Sequence, residues 1–198
     1  MIYKKSWKYI LYKEDSYICT EFNYFRPRAL KDFSDIKKED KGGYVHGYHN
    51  LSQSGNCWIY DNAIVTESAQ VSENAIVKEY ARVFGNAKVY GNAKISDYAD
   101  IKEYAQVFGN AWIMDVVKVF GHAHIFDNAQ VYDNANIIGY AVICGNARVY
   151  GNAIIEDNTK ILENAVVHEN AVISGDTKIS GYVEINGNSN IKDKKILK

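Results

Sequence analysis

Proline is almost absent from this chain of 198 residues: Pro27 is the only one, against sixteen tyrosines. That balance excludes a Pro-rich disordered or linker-like chain and favours strands. Cysteine is scarce too. Cys19, Cys57 and Cys144 are odd in number, far apart and in no CxxC pair, so neither a disulfide framework nor a zinc site is expected. No charge of one sign dominates, because 23 Lys and Arg stand against 24 Asp and Glu. Nucleic acid and anionic membranes are therefore not expected partners, and a whole-surface mimic of DNA would need a large acidic excess. Long apolar runs are missing. The opening "MIYKKSWKYILYKED" has no signal-peptide core, and no stretch is long enough to span a bilayer, so a cytoplasmic protein is expected.

What the chain has in abundance is a phrase of six residues, as in "VFGNAKVYGNAK" at 83–94. From Ile59 to Ile191 every sixth residue is Ile or Val, 23 positions without exception. Four places after each of the first 22 stands a small side chain, almost always Ala, with Val117, Thr159, Thr177, Val183 and Ser189 as the replacements. Between them the unit reads [IV]-x-[GDE]-[NY]-A-x. A period of six carries an apolar face round a helix cylinder, so a helix is excluded. A hairpin array needs longer strands and wider turn spacing. Short strands separated by tight corners fit. The aliphatic and the small residue point inward, and Gly, Asn and Asp sit where a corner needs φ > 0. Three sides make a coil of eighteen residues, and coils stack as parallel strands.

This repeat resembles that of the hexapeptide-repeat proteins, which implies an all-β, single-stranded left-handed parallel β-helix of about seven triangular coils over residues 53–193. At ~4.8 Å per tier the prism is about 35 Å tall. In many members of that family Gly or an acid follows the aliphatic residue directly, whereas here it comes one place later. Residues 1–52 escape the period and read as a β-rich N-terminal cap, which a solenoid needs over its first strand edges. Residues 194–198 form a basic tail that blunts the other end with lysines. The stretches "YFRPRALKDFSDIKKEDKGGYV" (24–45) and "NLSQSGNCWIYDNA" (50–63) are similar to the start of the YdcK-like family, bacterial and phage proteins often labelled acyltransferases.

Stacking at eighteen gives the outer columns. One corner carries Asn74, Asn92, Asn110, Asn128, Asn146 and Asn164, read as a structural amide ladder that tolerates left-handed backbone. Another carries Asp61, Glu79, Asp97, Asp115 and Asp133, read as solvated carboxylates that repel one another, with a cation or a basic partner as the functional alternative. One outward column holds Tyr90, Phe108, Phe126, Cys144 and Leu162. A second face shows Trp112 and Met114 beside Tyr132, Tyr150 and His168. Exposed apolar stripes of this length mark contact surfaces. A homotrimer or dimer is the first expectation for them, and a foreign protein target the second.

The family resemblance also implies acyl transfer, with acetyl-CoA or another acyl-CoA held between prisms and a His as general base. The histidines are His46, His49, His122, His124 and His168, and within one prism no three converge. No loop interrupts the repeat to build an acceptor pocket. The expectation is therefore no catalytic residue, no metal site and no cofactor, with His124 and His168 the candidates should an inter-subunit acyltransferase site exist. The three-His zinc arrangement of some hexapeptide-repeat enzymes has no counterpart in the spacing. Sugar stacking along the Tyr90 column is a weaker third reading, because Cys144 and Leu162 interrupt it. The leading expectation is a non-catalytic interaction or assembly protein. The family's occurrence in phage and prophage sequences implies a role in binding a host macromolecule.

Overall fold

A branched aliphatic every six residues buries a side chain only if the chain turns after each one, and the chain does so throughout. The computed structural model describes residues 7–19 and 22–197. The two-residue strands Ile64–Val65, Gln70–Val71 and Ile76–Val77 are typical: one outward residue, one inward aliphatic, then a four-residue corner. Every third strand pairs in parallel with the strand eighteen residues on, as Gln106–Val107 does with His124–Ile125. The result is a left-handed parallel β-helix of about eight turns with no helix among the described residues.

Side I runs from Ile64–Val65 to Asn190–Lys192, side II from Gln70–Val71 to Lys195–Leu197, and side III from Trp58–Ile59 to Glu184–Ile185. Spacing slips at both ends. Val45 pairs with Val65 and Leu51 bridges Val71, twenty residues apart, while Lys178 pairs with Lys195, seventeen apart. These irregular registers supply the tier beyond the seven that the strict period predicts.

The core is a column of alanines and aliphatics. Ala105, Val107, Ala123, Ile125, Ala141 and Ile143 are fully buried, and so are their equivalents along nearly the whole prism. Alanine is required because three sides converge at each level and leave room for one large side chain per side.

Most corners are turns closed by a backbone hydrogen bond from the small residue to the residue three before it, as from the Ala69 N–H to the Thr66 carbonyl at 3.1 Å. The first central residue has positive φ, for example +60° at Glu73, +66° at Gly109 and +59° at Asp115. The second central residue, usually Asn or Tyr, does not. This is the type II′ pattern, which favours Gly at its first central position. The Gly/Asp/Glu position, not the Asn position, is therefore the left-handed one, and the stacked asparagines owe nothing to a tolerance for that backbone.

At the amino end β1 (Tyr9–Cys19) and β2 (Phe22–Ala29) form an antiparallel hairpin, and β3 (Tyr44–Val45) joins β2 to side I. Beneath the hairpin Tyr9, Leu51 and Trp58 close the apolar column, with Trp58 edge-on to Tyr9 and Phe33. Lys8 is also buried there. Its ammonium donates to the Cys57 carbonyl at 2.9 Å and lies 3.2 Å from the Cys57 sulfur. Burial pushes the Lys8 amine below its usual pKa and the Cys57 thiol above its own.

Candidate functional site

Because the inner positions are filled by aliphatics and alanines, all remaining aromatic side chains of the coils must stand on the outside, and identical steps stack them. On side II Tyr90, Phe108 and Phe126 lie ring on ring, 4.8 Å apart and within 4° of parallel. All three are half-buried by their own stacking, as are Cys144 and Leu162 below them in the column. Burial, with the carboxylates of Asp127 and Glu163, pushes the Cys144 thiol up. It stays a protonated apolar spacer rather than a nucleophile. Beside this column run Lys88, Gln106, His124, Val142 and Lys160, which occupy the outward strand positions of the same side. The Tyr90 hydroxyl reaches Gln106 across the gap at 3.3 Å.

The corner leading into side II adds a ladder absent from the sequence expectations. Tyr104, His122 and Tyr140 stack at 4.8 Å, and Tyr104 and Tyr140 are 54% and 61% exposed, among the most open large side chains. Its signal was present as aromatic rings recurring at eighteen. The corner leading into side I carries a shorter stack, Tyr80 on Tyr98.

The second predicted group divides. Met114, Tyr132, Tyr150 and His168 form one half-buried column, with Tyr132 on Tyr150 and Tyr150 on His168 at 4.7 Å. Burial raises the Tyr132 pKa. Trp112 is not in that column. It stands in the outward strand position of side III, in register with Lys94 and Gln130, and is 41% exposed.

The histidines do not assemble. His124 lies on side II, while His122 is sandwiched at the corner before it. His168 sits on the corner after side III, its Nε2 2.9 Å from the Glu184 carboxylate and its side chain only 12% exposed. His46 and His49 belong to the first coil, where both hydrogen-bond to the Glu67 backbone. Among the described residues no group of three His, Cys, Asp or Glu side chains could hold a metal ion, and no helix is long and apolar enough to cross a membrane.

The carboxylates of the acidic corner are not idle charges. Each carboxylate accepts the backbone N–H of the acidic or Gly residue one coil on: Glu79 to Asp61, Asp97 to Glu79, Asp115 to Asp97, Asp133 to Asp115 and Gly151 to Asp133, at 2.7–3.2 Å. The corner N–H groups that the strand ladder leaves over are satisfied this way, and the carboxylates' charge strengthens the bond. The asparagine corner is a continuous amide ladder from Asn74 to Asn164, each Nδ2 donating to the next Oδ1 at 3.0–3.1 Å.

Taken together, the fold and its stacked outer columns define a parallel β-solenoid with rigid, ladder-bearing faces. The profile of the YdcK β-solenoid repeat matches residues 59–73, 129–145 and 143–157, so the repeat of this solenoid is similar to the YdcK one. A sequence comparison with curated proteins gives no match.

Proposed function

We propose that this protein is a non-catalytic assembly scaffold that acts in the cytoplasm and associates with copies of itself through side II. The observation that carries this reading is the arrangement of side II. Phe108, Phe126, Cys144 and Val142 form an apolar centre, bordered by the Tyr104–His122–Tyr140 ladder, with Lys88 and Lys160 at its two ends. An apolar centre within a polar, charged rim is the anatomy of a protein–protein contact. A rigid flat wall needs no ordering on association, so little of its binding energy is lost to conformational entropy. Closed homo-oligomers are the common outcome, and a trimer or dimer fits the triangular section. Binding of a host macromolecule by the assembled prism, in a phage or prophage setting, is the further role that the family resemblance suggests.

The competing reading is an acyl-CoA-dependent acyltransferase with its site between subunits. The His168–Glu184 pair favours it, since a carboxylate on one imidazole nitrogen is how a general base is oriented. Against it stand the corners of the repeat, which no loop interrupts among the described residues, and the separation of His168 from His124 on different sides.

Replacing Phe108 and Phe126 with Lys together tests the proposal by light scattering. The wild type has an oligomer's mass and the double variant a monomer's, with both folded by circular dichroism. An unchanged mass removes side II as the interface. Turnover of acetyl-CoA that is lost on His124→Ala or His168→Ala overturns the non-catalytic reading.

A further inference from the structure

Side III carries an open groove of about 450 Å³ between the asparagine ladder and the outward strand column, lined by Asn128, Asn146, Asn164, Gln130, Arg148 and Tyr182. We propose that this groove binds a neutral linear oligosaccharide of about five sugar units.

Three observations lead there. First, the groove holds hydrogen-bonding groups with unused capacity. Among the described residues the side chains of Gln130 and Arg148 make no hydrogen bond or ion pair, and the ladder ends at Asn164, whose Nδ2 has no further Asn to donate to because Tyr182 takes the next place. Along the ladder each amide uses one N–H and one lone pair and keeps the others. Secondly, flat aromatic rings stand at both ends. Tyr182 is 83% exposed, and Trp112 stands one tier before Gln130 in the same outward column. They are four tiers apart, about 19 Å at the usual strand spacing. Thirdly, the lining excludes other polymers. A phosphate backbone needs several cations, and Arg148 is the only one here. An apolar helix needs an apolar floor, and this one is amides.

A sugar chain meets each requirement. Its hydroxyls both donate and accept, as the amides do, and Arg148 offers a fork to a vicinal hydroxyl pair. The C–H faces of its end units lie against Trp112 and Tyr182. The rise of one tier is close to that of one pyranose in an extended chain, so successive sugars meet successive Asn side chains in register. The groove lies away from the side II wall, so the inference does not depend on self-association.

The test is calorimetric titration of the full chain with linear pentasaccharides of β-1,4-linked glucose, β-1,4-linked N-acetylglucosamine and α-1,4-linked glucose. At least one saturates in the millimolar to micromolar range, and Tyr182→Ala and Arg148→Met each weaken it about tenfold or more. Both side chains are on the surface, so melting temperature stays near that of the wild type. Tyr140→Ala, on another corner, and the Phe108→Lys/Phe126→Lys variant leave the affinity unchanged. Saturation by none of the three sugars overturns the proposal. So does binding that survives Tyr182→Ala and Arg148→Met, or that is lost in Tyr140→Ala.

Discussion

Asp115 shows how one residue can serve a strained backbone and relieve a neighbouring one. Its φ of +59° is unfavourable for any residue with a Cβ. Its carboxylate offsets that cost by accepting the Asp133 N–H at 3.0 Å. The two halves separate by mutation. Asp115→Ala keeps the strain and loses the bond, and costs about 1–2 kcal/mol by urea denaturation. Asp115→Gly loses the bond but removes the strain, and stays within about 1 kcal/mol of the wild type. Equal losses in the two variants would mean that backbone strain plays no part. Asp97, in the same column, also ties stability to pH. A hydrogen bond from the Ser96 hydroxyl, with the Asp115 N–H, holds its carboxyl below the usual carboxylate range despite partial burial. A folded-state pKa below the unfolded one contributes stability above about pH 4, and that stability is lost as pH falls through the folded value. Melting temperature measured from neutrality to about pH 3 therefore falls less steeply in Asp97→Asn than in the wild type.

Most strands of the coils are only two residues long, and none of these could stand alone. Gln106–Val107 and His124–Ile125 persist because each inward aliphatic sits on the one above, inside three walls of alanine. That packing leaves no slack for collapse, so Ile125→Ala opens a cavity and costs about 2–5 kcal/mol, read as a lowered denaturation midpoint. This level of organisation was legible in the sequence. Ile and Val at every sixth position and Ala four places later announce inside and outside without ambiguity, and the stacking of Tyr90 on Phe108 on Phe126 follows from a spacing of eighteen. The corner chemistry was not legible. Spacing aligns Asp97 with Asp115 but does not reveal that the carboxylate of one meets the N–H of the other. That needs the turn type, and with it the knowledge that Asp rather than Asn takes the positive φ. The ends escaped as well, since spacings of twenty at Val45 and Leu51 and seventeen at Lys195 break the period that made the middle readable.

At the scale of the whole molecule the solenoid is a rigid rod whose tiers touch only their neighbours, and its uses follow from what the walls display. The candidate interface could be read from the sequence because a column is a one-dimensional pattern. The groove of side III could not, because it depends on which polar groups are left unpaired: Gln130 and Arg148 look like ordinary surface residues until their partners are counted. The central claim is that the protein works by contact and not by turnover, and native mass spectrometry of the wild-type chain with and without acetyl-CoA tests it most directly. The account predicts a discrete dimer or trimer whose mass is unchanged by acetyl-CoA. A monomer, or an oligomer that gains one acetyl-CoA per subunit contact, would contradict it.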